Sequence, residues 1–201
     1  MAEIEFLYDF GSPNAYFVHR VIAQVTTEQP TLQFRYTPVL LGGIFKATGN
    51  QSPMQAYGHI AAKRDYDFLE MQRFMDRYAL ARFQMNPHFP VNTLLLVRGA
   101  IAAEQLGCSA VYVEAMMAGM WEQGLKLDDP AVWHAAVAAA GLDADALTAA
   151  AADPVNKAAL IANTENAVAR GVFGIPTFFF DGAMWFGKDR LRDVIEAATG
   201  A

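Results

Sequence analysis

Residues 174–186 read Gly174-Ile175-Pro176-Thr177-Phe178-Phe179-Phe180-Asp181-Gly182-Ala183-Met184-Trp185-Phe186. Two apolar runs flank Asp181-Gly182, and an Asp-Gly pair in that position is the residue choice of a two-residue hairpin, whose turn needs positive φ. The stretch predicts two short strands. Pro176 stands directly before the first, where its missing N–H removes no ladder bond. Two readings of it stand side by side: an ordinary trans proline at a strand start, or a cis proline in a special turn. Beyond the hairpin, residues 188–199 have the spacing of an amphipathic helix. The chain therefore closes on strand, strand, helix.

The other end completes the plan. Ile4, Phe6, Tyr8 and Phe10 alternate along a strand until Gly11 breaks it. Ser12-Pro13 is a helix start, serine as N-cap and proline at the first helical position, where an N–H is not needed. Ala15, Tyr16, Val18, Val21, Ile22 and Val25 continue at helical spacing, Pro30 ends the segment, and residues 31–39 alternate again as a second strand. Strand-helix-strand at one end and strand-strand-helix at the other, with a proline before the third strand, is the α/β plan of the thioredoxin-like fold. Residues 1–40 and 171–201 form that domain, and residues 41–170 are a large all-helical insertion domain. Within it a glycine-bearing loop (Gly42, Gly43, Gly49) leads to helices over about residues 54–62, 66–79, 92–106 and 109–122. Asp129-Pro130 and Asp153-Pro154 each pair an N-cap with a first helical residue, and residues 143–151 form one more short helix.

Composition removes several classes of function. Fifteen Lys and Arg against twenty-one Asp and Glu give a net charge of -6 in 201 residues, which disfavours nucleic acid or an anionic membrane as partner. The acidic start Met1-Ala2-Glu3-Ile4-Glu5 is not a secretory signal, and no stretch approaches the ~18 apolar residues of a membrane span. The reading is a soluble, cytoplasmic protein. One cysteine, Cys108, excludes an internal disulfide, a multi-cysteine zinc site and a Cys-x-x-Cys redox pair. It reads as a small buried hydrophobe.

A redox thioredoxin carries Cys-x-x-Cys where this chain has Ser12-Pro13-Asn14-Ala15. What remains there is a hydroxyl, a set of free N–H groups and the positive end of a helix dipole, a combination that stabilises an anion. A thiolate supplied by a bound thiol fits it, since an ordinary thiol of pKa ~8.5 is mostly protonated at neutral pH. The alternative is a serine that only caps its helix. A cis Pro176 would leave the backbone of Ile175 free to pair with a cysteinyl peptide or with glutathione. Phe83, Met85, His88 and Phe89 either wall an aromatic substrate or pack in the core. His19, His59, His88 and His134 have no metal-ligand spacing, so no metal is expected.

Several segments together resemble one family: Asp9-Phe10-Gly11-Ser12-Pro13, Gly49-Asn50, Lys63-x-x-Tyr66, Phe89-Pro90-x-Asn92-Thr93, Gly171-x-Phe173-Gly174-Ile175-Pro176-Thr177-Phe178 and Trp185-Phe186-Gly187-Lys188-Asp189-Arg190-Leu191. They are similar to the 2-hydroxychromene-2-carboxylate isomerases, relatives of the kappa-class glutathione transferases, over essentially the whole chain. The resemblance implies a glutathione-dependent isomerase that interconverts 2-hydroxychromene-2-carboxylate-like and trans-o-hydroxybenzylidenepyruvate-like aromatic acids. It implies Ser12 at the glutathione sulfur as the catalytic residue. Ile175 and Pro176 would face the cysteinyl part, Asn50 and Lys63 would hold the tripeptide, and Lys188 with Asp189 would take the γ-glutamyl end. Its partners would be glutathione and a small aromatic acid, with a homodimer as the assembly. The sequence departs from the family at Lys188, where a small polar residue or glutamine is frequent, and at Gly11 and Asn14 beside the sulfur. The alternatives are a kappa-class-like transferase or peroxidase and a non-catalytic thioredoxin-fold binding module.

Overall fold

The computed structural model of the chain describes residues 2–200; the outermost residues of the span assigned to the thioredoxin-like domain, Met1 and Ala201, lie outside the described residues. Strand β1 (Ala2–Tyr8), helix α1 (Pro13–Glu28) and strand β2 (Leu32–Pro38) open the chain, and β3 (Thr177–Phe180), β4 (Ala183–Phe186) and α10 (Leu191–Thr199) close it. The four strands form one sheet in the order β2-β1-β3-β4. β1 runs parallel to β2, in register Ala2 to Leu32, and antiparallel to β3. β3 and β4 pair across the Asp181-Gly182 turn, where both residues take positive φ, as a two-residue hairpin requires. This is the thioredoxin-like α/β arrangement: the two ends of the chain build one sheet because β1 pairs with β2 on one side and with β3 on the other.

Between the two halves stand α2 (Leu41–Thr48), α3 (Pro53–Tyr57), α4 (Ala61–Arg77), α5 (Leu94–Gln105), α6 (Ser109–Trp121), α7 (Pro130–Ala139), α8 (Ala144–Ala152) and α9 (Pro154–Ala169). Asp129, Asp143 and Asp153 cap α7, α8 and α9 with side-chain oxygens on backbone N–H groups. The buried apolar residues form one cluster that runs from Ile4, Phe6 and Tyr8 on β1 to Trp121, Trp133 and Leu147 among the helices. No helix among the described residues is long and apolar enough to cross a membrane.

Three elements differ from the sequence reading. The glycine-bearing loop is helical as α2, because Gly43 gives up side-chain bulk to let α2 approach α9: a Cβ there would lie 3.2 Å from Thr164 Cγ2. The helix expected over 54–62 stops at Tyr57, and α4 then starts at Ala61 rather than near Tyr66. The final helix is preceded by a 3-10 turn, Lys188–Arg190, which reorients the chain as it leaves the sheet.

Candidate active site

Ser12 caps α1: its Oγ accepts a 3.2 Å bond from the Ala15 N–H. The same hydroxyl donates to the Ile175 carbonyl at 3.2 Å, and Ser12 is only 5% exposed. The Ile175–Pro176 peptide is cis, as is Phe89–Pro90. The cis form of Pro176 settles the two readings left open by the sequence. Residues 163 positions apart thus meet through β1 and β3, and they meet at the positive end of a sixteen-residue helix. Both bonds of the Ser12 hydroxyl are long for O–H and N–H donors. A stronger acceptor placed beside it would draw its single proton away from the Ile175 carbonyl.

Asp9, one residue beyond β1, fixes the approach to Ser12. It is fully buried, accepts from Gly11 N–H at 2.8 Å through Oδ1 and from Leu41 N–H at 2.7 Å through Oδ2, and is also bonded by Thr93. Burial pushes its carboxyl above the ordinary aspartate value, against the pull of those three donors. A Cβ on Gly11 would lie 3.2 Å from Thr93 Cγ2, so the loop after Phe89–Pro90 presses directly on the residue before Ser12. The Trp121 indole N–H donates to the Phe10 carbonyl at 2.9 Å. These supports join β1, α2, α5 and α6 to one tripeptide, Phe10-Gly11-Ser12. The sequence reading missed Asp9 and Trp121 as site supports; a lone acid ending an apolar strand was the available signal for Asp9.

The third edge of the site is the turn after β4. Gly187, at φ 97°, donates its N–H to the Pro176 carbonyl at 2.9 Å, which ties the turn after β4 to the cis peptide. The next residue is Lys188. Its Nζ donates to Asp189 Oδ1 at 2.8 Å and lies 5.0 Å from the centre of the Phe74 ring. Phe74 in turn packs on Phe17 of α1, so α4 is held beside the turn. Asn50 donates to the Phe173 carbonyl at 2.7 Å, two residues before Ile175. The structure therefore brings Ser12, Asn50, Ile175, Pro176, Lys188 and Asp189 onto neighbouring segments. Lys63 stands apart: it is exposed, ion-paired with Asp67 at 3.5 Å and set 4.9 Å over the Tyr57 ring. It sits eleven residues before Phe74, roughly 16 Å along α4.

On the other side, Phe83 stacks on Trp121 at 6.0 Å and is half-buried, whereas Phe89, 5.9 Å from Trp121, and Met85 are exposed. Asn86 pins their loop from within, donating to the Met120 and Leu125 carbonyls at 2.9 Å each. Phe83 is thus core, and Phe89 and Met85 are presented outward. His19 bridges Tyr36 Oη at 2.9 Å and Glu114 at 3.1 Å, a link between α1 and α6 remote from Ser12. Cys108 is a free, partly buried residue packed on the core. No group of three His, Cys, Asp or Glu among the described residues is placed to hold a metal ion.

A family model described as the DSBA-like thioredoxin domain matches residues 3–198. The chain belongs to that family. Within it, a 2-hydroxychromene-2-carboxylate isomerase of Pseudomonas sp. (strain C18) is 26% identical over 200 residues, covering 98% of this chain and 91% of the relative. A solved 2-hydroxychromene-2-carboxylate isomerase superposes with a TM-score of 0.83 at 25% identity, over 98% of this chain and 94% of its own. A probable DsbA oxidoreductase from Streptomyces coelicolor matches with a TM-score of 0.74 at 19% identity, over 100% of this chain and 91% of its own, a likeness of fold alone. Full-length likeness to proteins named as isomerases supports an isomerase, and Ser12 in place of a redox cysteine is in keeping with it.

The residues present suit glutathione on one count that belongs to this structure. Lys188 is a cation with 6% of its side chain exposed and, among the described residues, one hydrogen bond, to the Asp189 carboxylate, which is 61% exposed. A charged tripeptide end has both a donor and an acceptor to meet there.

Proposed function

We propose that the protein is a glutathione-dependent isomerase of unsaturated aromatic acids of the 2-hydroxychromene-2-carboxylate type. The observation that carries this reading is the Ser12 hydroxyl, buried at the N-terminus of α1 and bonded to the carbonyl before cis-Pro176, in a chain without a second cysteine. When bound, glutathione would supply a thiolate nucleophile for reversible addition to the conjugated double bond. Ser12 turns its O–H from the Ile175 carbonyl to the sulfur, exchanging a long neutral hydrogen bond for a charge-assisted one. The N–H groups of the first α1 turn and the helix dipole hold the negative charge there. Asp9, Thr93 and Trp121 keep Gly11-Ser12 from shifting as that charge moves on and off sulfur. Asn50 fixes Phe173, and Lys188 with Asp189 receives the charged end of the tripeptide. Met85 and Phe89 offer an apolar face to the aromatic acid. Holding both reactants side by side would supply the proximity contribution.

The test is turnover of 2-hydroxychromene-2-carboxylate by protein freed of small thiols, with and without added glutathione. The reading expects isomerised product only with glutathione and no loss of total glutathione. Isomerisation without glutathione would overturn it, and net formation of a glutathione conjugate would assign the protein to transferase chemistry instead.

A further inference from the structure

Asp9 is a buried acid without a counter-charge. It is 0% exposed, and no Lys, Arg or His among the described residues pairs with it. The donors that meet its carboxylate are neutral: the Gly11 N–H on Oδ1, the Leu41 N–H on Oδ2 and the Thr93 hydroxyl. The titratable group coupled to it, Tyr8, is a phenol that burial holds neutral far above its ordinary value. The main-chain carbonyl of Asp9 accepts from the Ser12 N–H at 3.2 Å, so residue 9 gathers the N–H groups of both Gly11 and Ser12. The bond to Leu41 has a second effect. Leu41 opens α2, whose N-cap, Leu40, has no side-chain oxygen to offer. Asp9 supplies the missing cap from another segment and puts a negative charge at the positive end of that helix. α2 ends at Thr48, two residues before the Asn50 that holds Phe173. One carboxylate thus joins the Ser12 segment to the helix that leads to Asn50. A protonated carboxyl cannot serve both: its hydroxyl oxygen is a donor and a poor acceptor, and one backbone N–H loses a good partner.

We propose that Asp9, ionised at working pH, is a positioning residue: only its charged form holds Gly11-Ser12 and the start of α2 together, and turnover follows its ionisation. The inference rests on the glutathione-dependent isomerase reading for its activity and adds to it a control of Ser12 by pH. By charge alone Asp9 acts the other way, since a carboxylate near sulfur disfavours a thiolate. A loss of turnover on protonating Asp9 is therefore the mark of positioning. Stability moves oppositely too. Burial raises the Asp9 carboxyl above the ordinary aspartate value, so the folded chain binds this proton more firmly than the unfolded chain. The stability it adds is present at low pH and is lost as pH rises through the folded value.

The experiment is NMR of the whole protein across pH without glutathione, following the Asp9 carboxyl carbon and the Gly11 and Leu41 amide protons. Turnover of 2-hydroxychromene-2-carboxylate is measured over the same range with saturating glutathione. The three resonances should share one midpoint, above the ~3.9 of an ordinary aspartate. Turnover should fall at least about tenfold on the acid side of that midpoint, as for a misplaced reacting group. Thr93→Val removes a donor to the charged form and should move both the shared midpoint and the acid limb up by about one pH unit. The bound thiol's own titration would not follow Thr93. Thr93→Ser keeps the hydroxyl and should show both at their unmodified positions, which covers the case of a poorly folded valine variant. A carboxyl that titrates while the Gly11 amide stays still would overturn the proposal, as would an acid limb that ignores a shifted carboxyl midpoint. A shared midpoint in a protein with no glutathione-dependent turnover at any pH would overturn the glutathione reading and leave the Asp9 tether standing.

Discussion

Replacing Ser12 by alanine separates what the hydroxyl does for the fold from what it does for chemistry. In the fold it accepts from Ala15 N–H and donates to the Ile175 carbonyl, both at 3.2 Å, and Ile175 is 7% exposed. Losing an N-cap costs about 1 kcal/mol, and leaving a buried carbonyl unpaired costs about 1 kcal/mol more. A loss of ~2 kcal/mol in a chain of this size lowers the melting temperature by roughly 4–8 °C. Differential scanning calorimetry reads that directly. In the chemistry, the hydroxyl contributes one hydrogen bond to a charged sulfur, worth about 1.5–3 kcal/mol. Turnover measured well below the melting transition should therefore fall about ten- to a hundredfold, with the Kd for glutathione nearly unchanged at pH values low enough that the thiol binds protonated. The thiolate absorbance of the bound thiol should titrate at higher pH than in the unmodified protein, by about one unit for each ~1.4 kcal/mol lost. A variant that melts lower yet keeps its turnover and its thiolate titration would refute the reasoning, reducing Ser12 to a helix cap.

Three further outcomes follow from contacts across the fold. Trp121→Phe deletes the N–H that the Phe10 carbonyl accepts, and should lower the melting temperature by about 4–8 °C, corresponding to ~2 kcal/mol for a buried carbonyl left unpaired and a small void, as read by calorimetry. Gly99→Ala, a favourable change by helix propensity alone, would put a Cβ 2.1 Å from the Tyr112 hydroxyl, which donates to Leu96 and accepts from Trp133; a loss of about 3 kcal/mol or more is expected in denaturant unfolding. Glu114 is held down to about 2, first by the hydrogen bond from His19 and also by Arg20. A carboxylate whose folded pKa lies below its unfolded value adds stability that is present above about pH 4.5 and is lost as pH falls toward 2. Stability followed by circular dichroism should therefore drop across that window, and Glu114→Gln should flatten the drop.

The sequence is most legible where structure is local. Asp181-Gly182 between apolar runs and Ser12-Pro13 before a helical stripe are decided within a few residues, and both stand where they were placed. Gly42 and Gly43 hid α2 because glycine is a poor helix former on its own, and its place there is settled by Thr164, more than 120 residues away. The isomer of Pro176 was open because its dipeptide tolerates both forms; β1 and β3 hold the segment against Ser12 and one form remains. The burial of Lys188 beneath Phe74, the bond from Trp121 to Phe10 and the three donors around Asp9 depend on contacts across the helical segment, which no short motif encodes. Lys63 is placed at a ligand only by the resemblance; in the folded chain its partners are Asp67 and Tyr57.

The most direct measurement of the central claim is a crystal structure of the protein with glutathione. The account predicts the glutathione sulfur within about 3.5 Å of the Ser12 hydroxyl, at the N-terminus of α1 and beside cis-Pro176. A sulfur bound beyond hydrogen-bond reach of Ser12, or a tripeptide seated away from Ile175, would contradict it.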